Sequence, residues 1–179
     1  MGEGETVGRV LGTFDATPLQ FWVAVRPGAY LQLDDVVVTT RELPADNGEP
    51  RDPVTIAGVV TQVRARHEGA TFDSDVFAIA EGTLPAQIQE AAEITTTRVD
   101  PEVYVPPAPG APVRRAGGAE RDGALYFDRM DRRVPIGTGR DGAPLYLNAD
   151  FLDGTRGAHV SISGISGVAT KTSFASWLL

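Results

Sequence analysis

The stretch VGRVLGTFDATPLQFWVAV (residues 7–25) decides the fold class of this chain. It contains two runs rich in β-branched and aromatic residues, at 7–15 and 19–25, with a short proline-containing segment between them. Residues of these types favour strands because they pack well on a pleated surface, whereas proline interrupts the ladder. The stretch therefore predicts two successive β-strands.

Strand-like runs continue along the chain as far as residue 99. LQLDDVVVTT (31–40) and VTIAGVVTQVRAR (54–66) flank a loop dense in Pro, Gly, Asp and Asn at 44–53. VFAIA (76–80) is interpreted as a short strand. AQIQEAAEITTTRV (86–99) is ambiguous, because its first half favours a helix and its second half a strand. Several short strands with turn signals between them predict a small closed β-barrel or a sandwich.

A proline-rich segment then marks a boundary. Residues 100–120 contain five prolines between Pro101 and Pro112, followed by Gly, Ala and Arg. Such composition is typical of a semi-rigid linker, the alternative being an ordered segment that lies along the barrel. We therefore predict a mainly β chain with an N-terminal barrel at 1–110, a linker at 111–133 and the first elements of an α/β P-loop (RecA-like) core at 134–179.

The C-terminal part has the order of elements that a phosphate-binding loop requires. GRDGAPLYL (139–147) predicts a hairpin that turns at Asp141-Gly142, and HVSISG (159–164) predicts a short apolar strand. KTSFASWLL (171–179) has apolar residues at helical spacing. A strand, a glycine-containing turn, Lys-Thr and a helix are the context of a P-loop.

The loop itself departs from the usual G-x-x-x-x-G-K-[ST] pattern. ISGVATKT (165–172) has Ile165 and Thr170 where the pattern has glycines, and counting from Gly164 gives one residue too many. The alternative is a glycine-bearing turn capped by Thr172 or Ser173. The candidate nucleotide-binding residues are Gly164, Ser166, Gly167, Val168, Ala169, Thr170, Lys171, Thr172 and Ser173, with Thr172 as the Mg²⁺ ligand.

The basic residues single out Lys171. The chain has fifteen Arg and one Lys, and that Lys stands in this loop. A compact ammonium suits the outer phosphates of a nucleotide, whereas a guanidinium is wide and planar. Chance is the alternative, since a single lysine must fall somewhere.

The charge distribution separates the two ends of the chain. Residues 1–110 have 17 acidic side chains and 7 Arg, and residues 111–179 have 7 acidic and 9 basic side chains. An acidic barrel is a poor candidate for gripping DNA phosphates. An acidic surface more often keeps a domain soluble or faces a basic protein surface. The chain has no Cys and only two His, far apart, which argues against thiolate or His-based metal sites and fits a cytoplasmic protein.

Other candidates carry less weight. The serines around Ser163, with His159, lack a paired acid and the spacing of a nucleophile elbow, so a hydrolase is rejected. The pairs Arg114-Arg115 and Arg132-Arg133 are interpreted as exposed charge, with DNA or a neighbouring subunit as the alternative. Asp34-Asp35, Asp73 and Asp75 are interpreted as solvated acids at turns, and Trp22 and Trp177 as core aromatics.

These motifs together resemble the HerA family of hexameric ATPases, in the HerA/FtsK group of DNA-pumping motors. The resemblance rests loosely on the barrel that begins VGRVLGTFD (7–15). It rests more specifically on PIG (135–137), LYLN (145–148), HVSISG (159–164) and GISGVATKT (164–172). The last departs from the family's G-x-x-G-x-G-K-[ST].

The resemblance implies a HAS-barrel followed by an ATP- and Mg²⁺-binding core. It implies a homo-hexameric ring that pumps duplex DNA as a translocase or helicase. In that family the barrel helps form the ring and docks a partner nuclease or effector, in DNA end processing or antiphage defence. A working motor also needs an acid for Mg²⁺ and water and an arginine from a neighbouring subunit. No strand for that acid follows Lys171, so we expect an N-terminal fragment that does not hydrolyse ATP by itself.

Two other functions are kept open. The first is a non-catalytic barrel that docks proteins and carries a remnant nucleotide loop. The second is an OB-like barrel that binds single-stranded nucleic acid, which needs a basic, aromatic-lined face. The acidic charge of residues 1–110 argues against this second function.

Overall fold

A computed structural model of the chain describes residues 5–154, 157, 160–164 and 171–178. The chain forms two compact units, one ending at Asp128 and the other beginning at Arg129. The first unit consists of β1 (Thr6–Val10), β2 (Gln20–Val25), β3 (Val36–Arg41), β4 (Val54–Glu68), α1 (Asp75–Ala80), β5 (Gln87–Asp100), β6 (Pro112–Arg115), α2 (Ala119–Ala124) and a 3-10 turn (Phe127–Arg129) that runs to the boundary.

The six strands close into an antiparallel barrel, so the predicted mainly β fold is confirmed. Their order around the barrel is β1-β2-β5-β4-β3-β6, and β6 returns to pair with β1. Strands β3, β4 and β5 follow one another by hairpin connections, while β6 lies beside β3. This arrangement of four strands is a Greek key. Closure gives each strand a partner on both sides, which removes the exposed edges of an open sheet.

The barrel is filled by side chains that alternate along the strands. Phe21 and Val23 of β2 point inward, as do Val54 and Ile56 of β4, and all four are almost completely buried. Alternate positions face the interior because successive side chains of a strand lie on opposite faces. The inward positions of residues 7–25 and 54–60 fill the barrel interior, which is why these stretches are rich in branched and aromatic side chains.

Three segments differ from the sequence predictions, and in each the presence or absence of a pairing strand decides the structure. VFAIA is helical in α1 and not a strand, since no neighbouring strand among the described residues pairs with it. The ambiguous segment is strand throughout in β5, because pairing with β4 and β2 overrides its local helix preference. Within the predicted linker, residues 112–115 form β6, which matches the alternative of an ordered segment on the barrel.

The described residues of the second unit form a hairpin and two short helices. Its elements are β7 (Arg133–Thr138), β8 (Pro144–Asn148), α3 (Ala149–Leu152) and α4 (Lys171–Leu178). Strands β7 and β8 pair with each other, and Gly142 adopts the left-handed conformation in the turn between them, which confirms the predicted hairpin. A P-loop α/β core is not formed by the described residues of this unit.

The two tryptophans are not core residues. Trp22 is half-buried on the outer side of the barrel, and Trp177 of α4 is 53% exposed and stacks on Phe174 at 5.9 Å between ring centroids. Within the described part of the chain, no helix has the length and apolar character needed to cross a bilayer.

Candidate functional site

The predicted nucleotide loop is described at its two ends. Gly164 lies before the gap, while Lys171, Thr172 and Ser173 are the first three residues of α4. Ser166, Gly167, Val168, Ala169 and Thr170 lie outside the described residues. Their predicted contacts with a nucleotide therefore stay predictions.

Lys171 folds back onto the start of the loop. Its Nζ donates a hydrogen bond to the carbonyl oxygen of Gly164 at 2.7 Å. A Cβ at Gly164 would lie 3.4 Å from Cγ of Lys171, which is an ordinary van der Waals contact. The lysine stem thus lies directly beside the backbone seven residues before it.

A shallow depression surrounds this lysine. It is lined by Val160, Ser161, Ile162, Ser163, Lys171 and Phe174. Two hydroxyls and an ammonium are hydrogen-bond donors, and helix α4 begins at this ammonium's residue, Lys171. Donors of these kinds suit an anion, so the chemistry of the depression is compatible with a phosphate group.

The strand predicted before the loop is not formed. Residues 160–164 have no regular structure. A strand needs neighbours for its backbone N–H and C=O groups, and β7 and β8 pair only with each other among the described residues. Of the predicted order of strand, phosphate-binding loop and helix, the described residues therefore show only the first residue of the loop, Gly164, and the helix α4.

Thr172 is the predicted ligand of a nucleotide-bound Mg²⁺. Its side chain is exposed directly after Lys171, the position that the P-loop pattern gives to the hydroxyl ligand. In the described ranges, no group of three or more His, Asp or Glu is arranged to hold a metal ion. The Mg²⁺ assignment of Thr172 therefore stays a prediction.

A second depression lies on the barrel beside α2. It is lined by residues of β3, β4, β5 and α2, among them Arg98, Asp100, Glu120 and Asp128. Arg98 donates to both carboxylate oxygens of Asp128 at 2.8 Å and to the carbonyl oxygen of Gly123 at 2.9 Å. The hydrogen bond to Asp128 raises the pKa of Arg98. This guanidinium therefore holds α2 against the barrel and does not offer itself to a ligand.

The two arginines of β6 also form ion pairs within the first unit. Arg114 donates to both carboxylate oxygens of Glu120, which lowers the pKa of that carboxyl group. Arg115 donates from Nε to Asp35 at 3.2 Å and lies over the ring of Tyr30. Arg132 of the second unit pairs with Asp150 and Asp153. The side chains of Arg114, Arg115 and Arg132 thus pair within their own unit, and the interpretation as simple exposed charge was incomplete.

Replacing Arg98 by alanine tests the structural role of this ion pair. We expect the free energy of unfolding to fall by about 1.5 kcal/mol, because hydrogen bonds to a charged group are lost at a side chain that is only 16% exposed. Urea denaturation followed by circular dichroism measures the change. Arg51→Ala, which removes an exposed pair with Asp46, is the matched control and should cost less than about 0.5 kcal/mol. Equal losses in the two variants would contradict the assignment.

An aromatic and basic cluster lies on the outer side of the barrel. The guanidinium of Arg64 lies 3.9 Å from the ring centroid of Trp22 and 4.5 Å from that of Phe14. The arginine lies on one face of each ring, so that face is already used by a cation–π contact. The barrel also has six strands, one more than the five of an OB-fold. Both observations disfavour the single-strand-binding alternative.

The longest strands of the barrel continue beyond it as a two-stranded arm, a feature that the sequence predictions missed. We define the arm as residues 65–90, in which β4 and β5 pair from Ala65↔Glu90 to Glu68↔Gln87. Partner strands β3 and β2 end before these pairs, so no third strand covers the arm among the described residues. The signal in the sequence is the length of the two runs, which form strands of 15 and 14 residues.

The tip of the arm exposes apolar side chains. Phe72 and Phe77 are each 71% exposed and Ile88 is 69% exposed, and Val76 is also exposed. Helix α1 has apolar residues from Val76 to Ala80, yet none of its six residues is buried by the described part of the chain. A surface helix normally buries one apolar stripe, so this helix is unusual in burying none.

Comparison with known proteins does not assign the chain to a family. No protein-family model matches the chain, and a search of curated proteins gives no match either. The HerA resemblance therefore stays an expectation that rests on the residues quoted above.

Proposed function

We propose that this chain belongs to a HerA-like, ring-forming ATPase that translocates duplex DNA, and that it supplies the barrel and the phosphate-binding loop. The observation that carries this proposal is Lys171, the only lysine among sixteen basic Lys and Arg residues. It is the first residue of α4, and its ammonium lies on the carbonyl of Gly164. A lysine held at the junction of a glycine-bearing loop and a helix N-terminus is suited to the outer phosphates of ATP.

Each candidate residue would contact a different part of the nucleotide. Lys171 would exchange its contact with Gly164 for the phosphates, and the backbone of residues 164–173 would curl around them. Thr172 would place its hydroxyl toward the nucleotide-bound Mg²⁺. ATP supplies the free energy for movement when it is hydrolysed, which requires an acid and a partner arginine in addition to these residues.

The barrel would serve assembly and docking in this proposal. Residues 1–110 have a net charge of −10, which repels DNA phosphates and favours a basic protein surface. Closure of the six strands leaves no open edge within the barrel itself, so docking would use side chains on its outside and on the arm. The partners proposed are other copies in a hexamer and a nuclease or effector, while DNA would contact the ATPase core.

A non-catalytic docking barrel with a remnant loop is the second candidate. The observation that favours it is the irregular structure of residues 160–164, where an active P-loop has a strand. The loop also departs from the usual pattern at Ile165 and Thr170. The two candidates share the docking role and differ in nucleotide binding.

Replacing Lys171 separates the two candidates. We expect the chain to bind Mg²⁺–ATP and Lys171→Ala to bind it at least ~10-fold more weakly, because a charge-assisted contact with phosphate is lost. Lys171→Arg should also bind more weakly, since a guanidinium is wider than an ammonium. Isothermal titration calorimetry measures the affinities. In the proposed motor, DNA-stimulated ATP hydrolysis should disappear in Lys171→Ala.

Arg51→Ala is the control for simple loss of positive charge. Arg51 lies in an exposed loop of the barrel and pairs with Asp46, so its loss should leave ATP affinity unchanged. If the chain binds no ATP, or if Lys171→Ala binds as well as the wild type, the motor proposal fails and the docking barrel remains.

A further inference from the structure

We infer that the tip of the arm is a docking site for a partner protein whose apolar surface is surrounded by Lys and Arg side chains. This inference rests on the docking role proposed above and assigns that role to a defined surface. Its elements are the exposed apolar side chains of the tip, the absence of covering strands and the charge of the surrounding residues.

The apolar surface is concentrated on one short segment. Phe72 directly precedes the turn into α1, and Val76 and Phe77 lie in its first turn. A phenylalanine removes about 150 Å² or more from water when a partner buries it. Soluble monomers rarely leave a contiguous apolar patch of a few hundred Å² uncovered, and such patches mark interaction sites.

The tip is held in a defined conformation, which favours specific docking. The carboxylate of Asp75 accepts hydrogen bonds from the backbone N–H groups of Thr71 and Phe72, at 2.9 and 3.0 Å. Thr83 closes the other side, since its hydroxyl donates to the carbonyl of Ala78. A surface ordered before binding loses less conformational entropy when a partner docks.

The base of the arm is anchored to the barrel. Arg64, the residue before the arm, lies over the rings of Trp22 and Phe14. Beyond this anchor the arm is a two-stranded ribbon whose strands continue those of the barrel wall. The barrel therefore helps to hold the tip in the conformation that a partner would meet.

The charge of the arm selects the partner. Residues 65–90 contain five acidic side chains (Glu68, Asp73, Asp75, Glu81 and Glu90) and one basic side chain, Arg66. The backbone hydrogen bonds to Asp75 lower the pKa of its carboxyl group, so it stays ionised next to Phe72. Complementary charge around an apolar contact speeds association and excludes wrong partners. The fitting partner is therefore a protein with a basic rim, and a nucleic acid would be repelled.

Selection from a phage-displayed library of random peptides, with the whole chain as target, tests this inference. The expected result is enrichment of peptides in which aromatic or aliphatic residues are flanked by Lys and Arg. The affinity of a synthetic peptide of the selected sequence should fall at least ~10-fold for the double variant Phe72→Ser/Phe77→Ser. It should also fall as salt is raised, because exposed charges are screened. The same peptide with Lys and Arg replaced by Gln should bind more weakly.

Tyr104→Ser is the matched control, because Tyr104 is also exposed on the first unit but lies outside the arm. It should bind the peptide as the wild type does, and circular dichroism should show that all variants keep the barrel.

The inference is overturned if no peptide is enriched, if the peptides lack basic residues, or if the double variant binds them unchanged. Self-association in sedimentation velocity that the double variant abolishes would also overturn it, in favour of a second copy. ATP binding does not depend on Phe72 or Phe77 in this scheme, so failure here is distinct from failure of the nucleotide proposal.

Discussion

Phe21→Ala is expected to lower the free energy of unfolding of the barrel by about 3–5 kcal/mol. Phe21 is 1% exposed and is among the largest fully buried side chains of the described residues. It stands in β2, whose partners β1 and β5 are fixed on both sides by hydrogen bonds. Because the closed barrel cannot collapse easily around the missing ring, most of the cavity should remain. Domains are stable by only about 5–15 kcal/mol, so the loss is a large fraction of the total.

Thermal and urea denaturation followed by circular dichroism measure this loss. Leu19→Ala is the matched control, since Leu19 is an apolar residue two positions away that is 65% exposed. Its replacement should change stability by no more than about 0.5 kcal/mol. Comparable losses in the two variants would mean that the barrel interior is not packed as described. Peptide binding at the arm should be lost in Phe21→Ala only at temperatures where the barrel unfolds.

The β fold was predictable because its signals are local. The branched residues of β1, β2 and β4 indicate strands whatever their partners are, and the turn at Gly142 follows from its Asp-Gly sequence. The order of the strands was not predictable, because it depends on pairings between residues far apart in sequence. The strand β6 was missed for a related reason, as its four residues follow a proline-rich segment and become a strand only through β1 and β3.

The candidate site was predictable to a smaller extent. The helix that begins at Lys171 follows from the spacing of its apolar residues, and the structure has it. The strand predicted at 159–164 is irregular over 160–164, because local composition does not provide the neighbouring strands that it needs. The arm was missed because a short apolar run such as VFAIA has no periodicity that distinguishes a buried strand from an exposed helix.

Charge and exposed apolar surface point to the same role for the barrel unit. An acidic arm with Phe72 and Phe77 at its tip favours a protein partner, whereas the basic side chains Arg98 and Arg115 are engaged in pairs within the unit. The proposed nucleotide site lies with Lys171 in the second unit. The two proposals therefore depend on different residues and are tested separately.

Gly58→Ala is expected to destabilise the barrel by about 3 kcal/mol or more, at the upper end of the range for overpacked interiors. A Cβ at Gly58 would lie 2.6 Å from Cγ2 of Ile94 and 2.6 Å from the carbonyl oxygen of Thr95. The side chain of Ile94 is fully buried, and the carbonyl belongs to the backbone of the neighbouring β5, so neither can move aside without cost. The register of β4 against β5 shifts between Ala57 and Gly58. The glycine thus allows the two longest strands to approach where the sheet bends.

Gly117→Ala is the matched control for this substitution. A Cβ at Gly117 would meet no heavy atom of the described residues within 4 Å, and Gly117 does not adopt the left-handed conformation. Alanine there should be neutral or stabilise the protein by up to about 1 kcal/mol, because it restricts the unfolded chain. Urea denaturation of both variants gives the comparison. Since Gly58 lies where β4 and β5 form the barrel wall that supports the arm, Gly58→Ala should also weaken peptide binding at the tip. A Gly58→Ala protein as stable as Gly117→Ala would show that β4 and β5 do not approach as closely as the register requires.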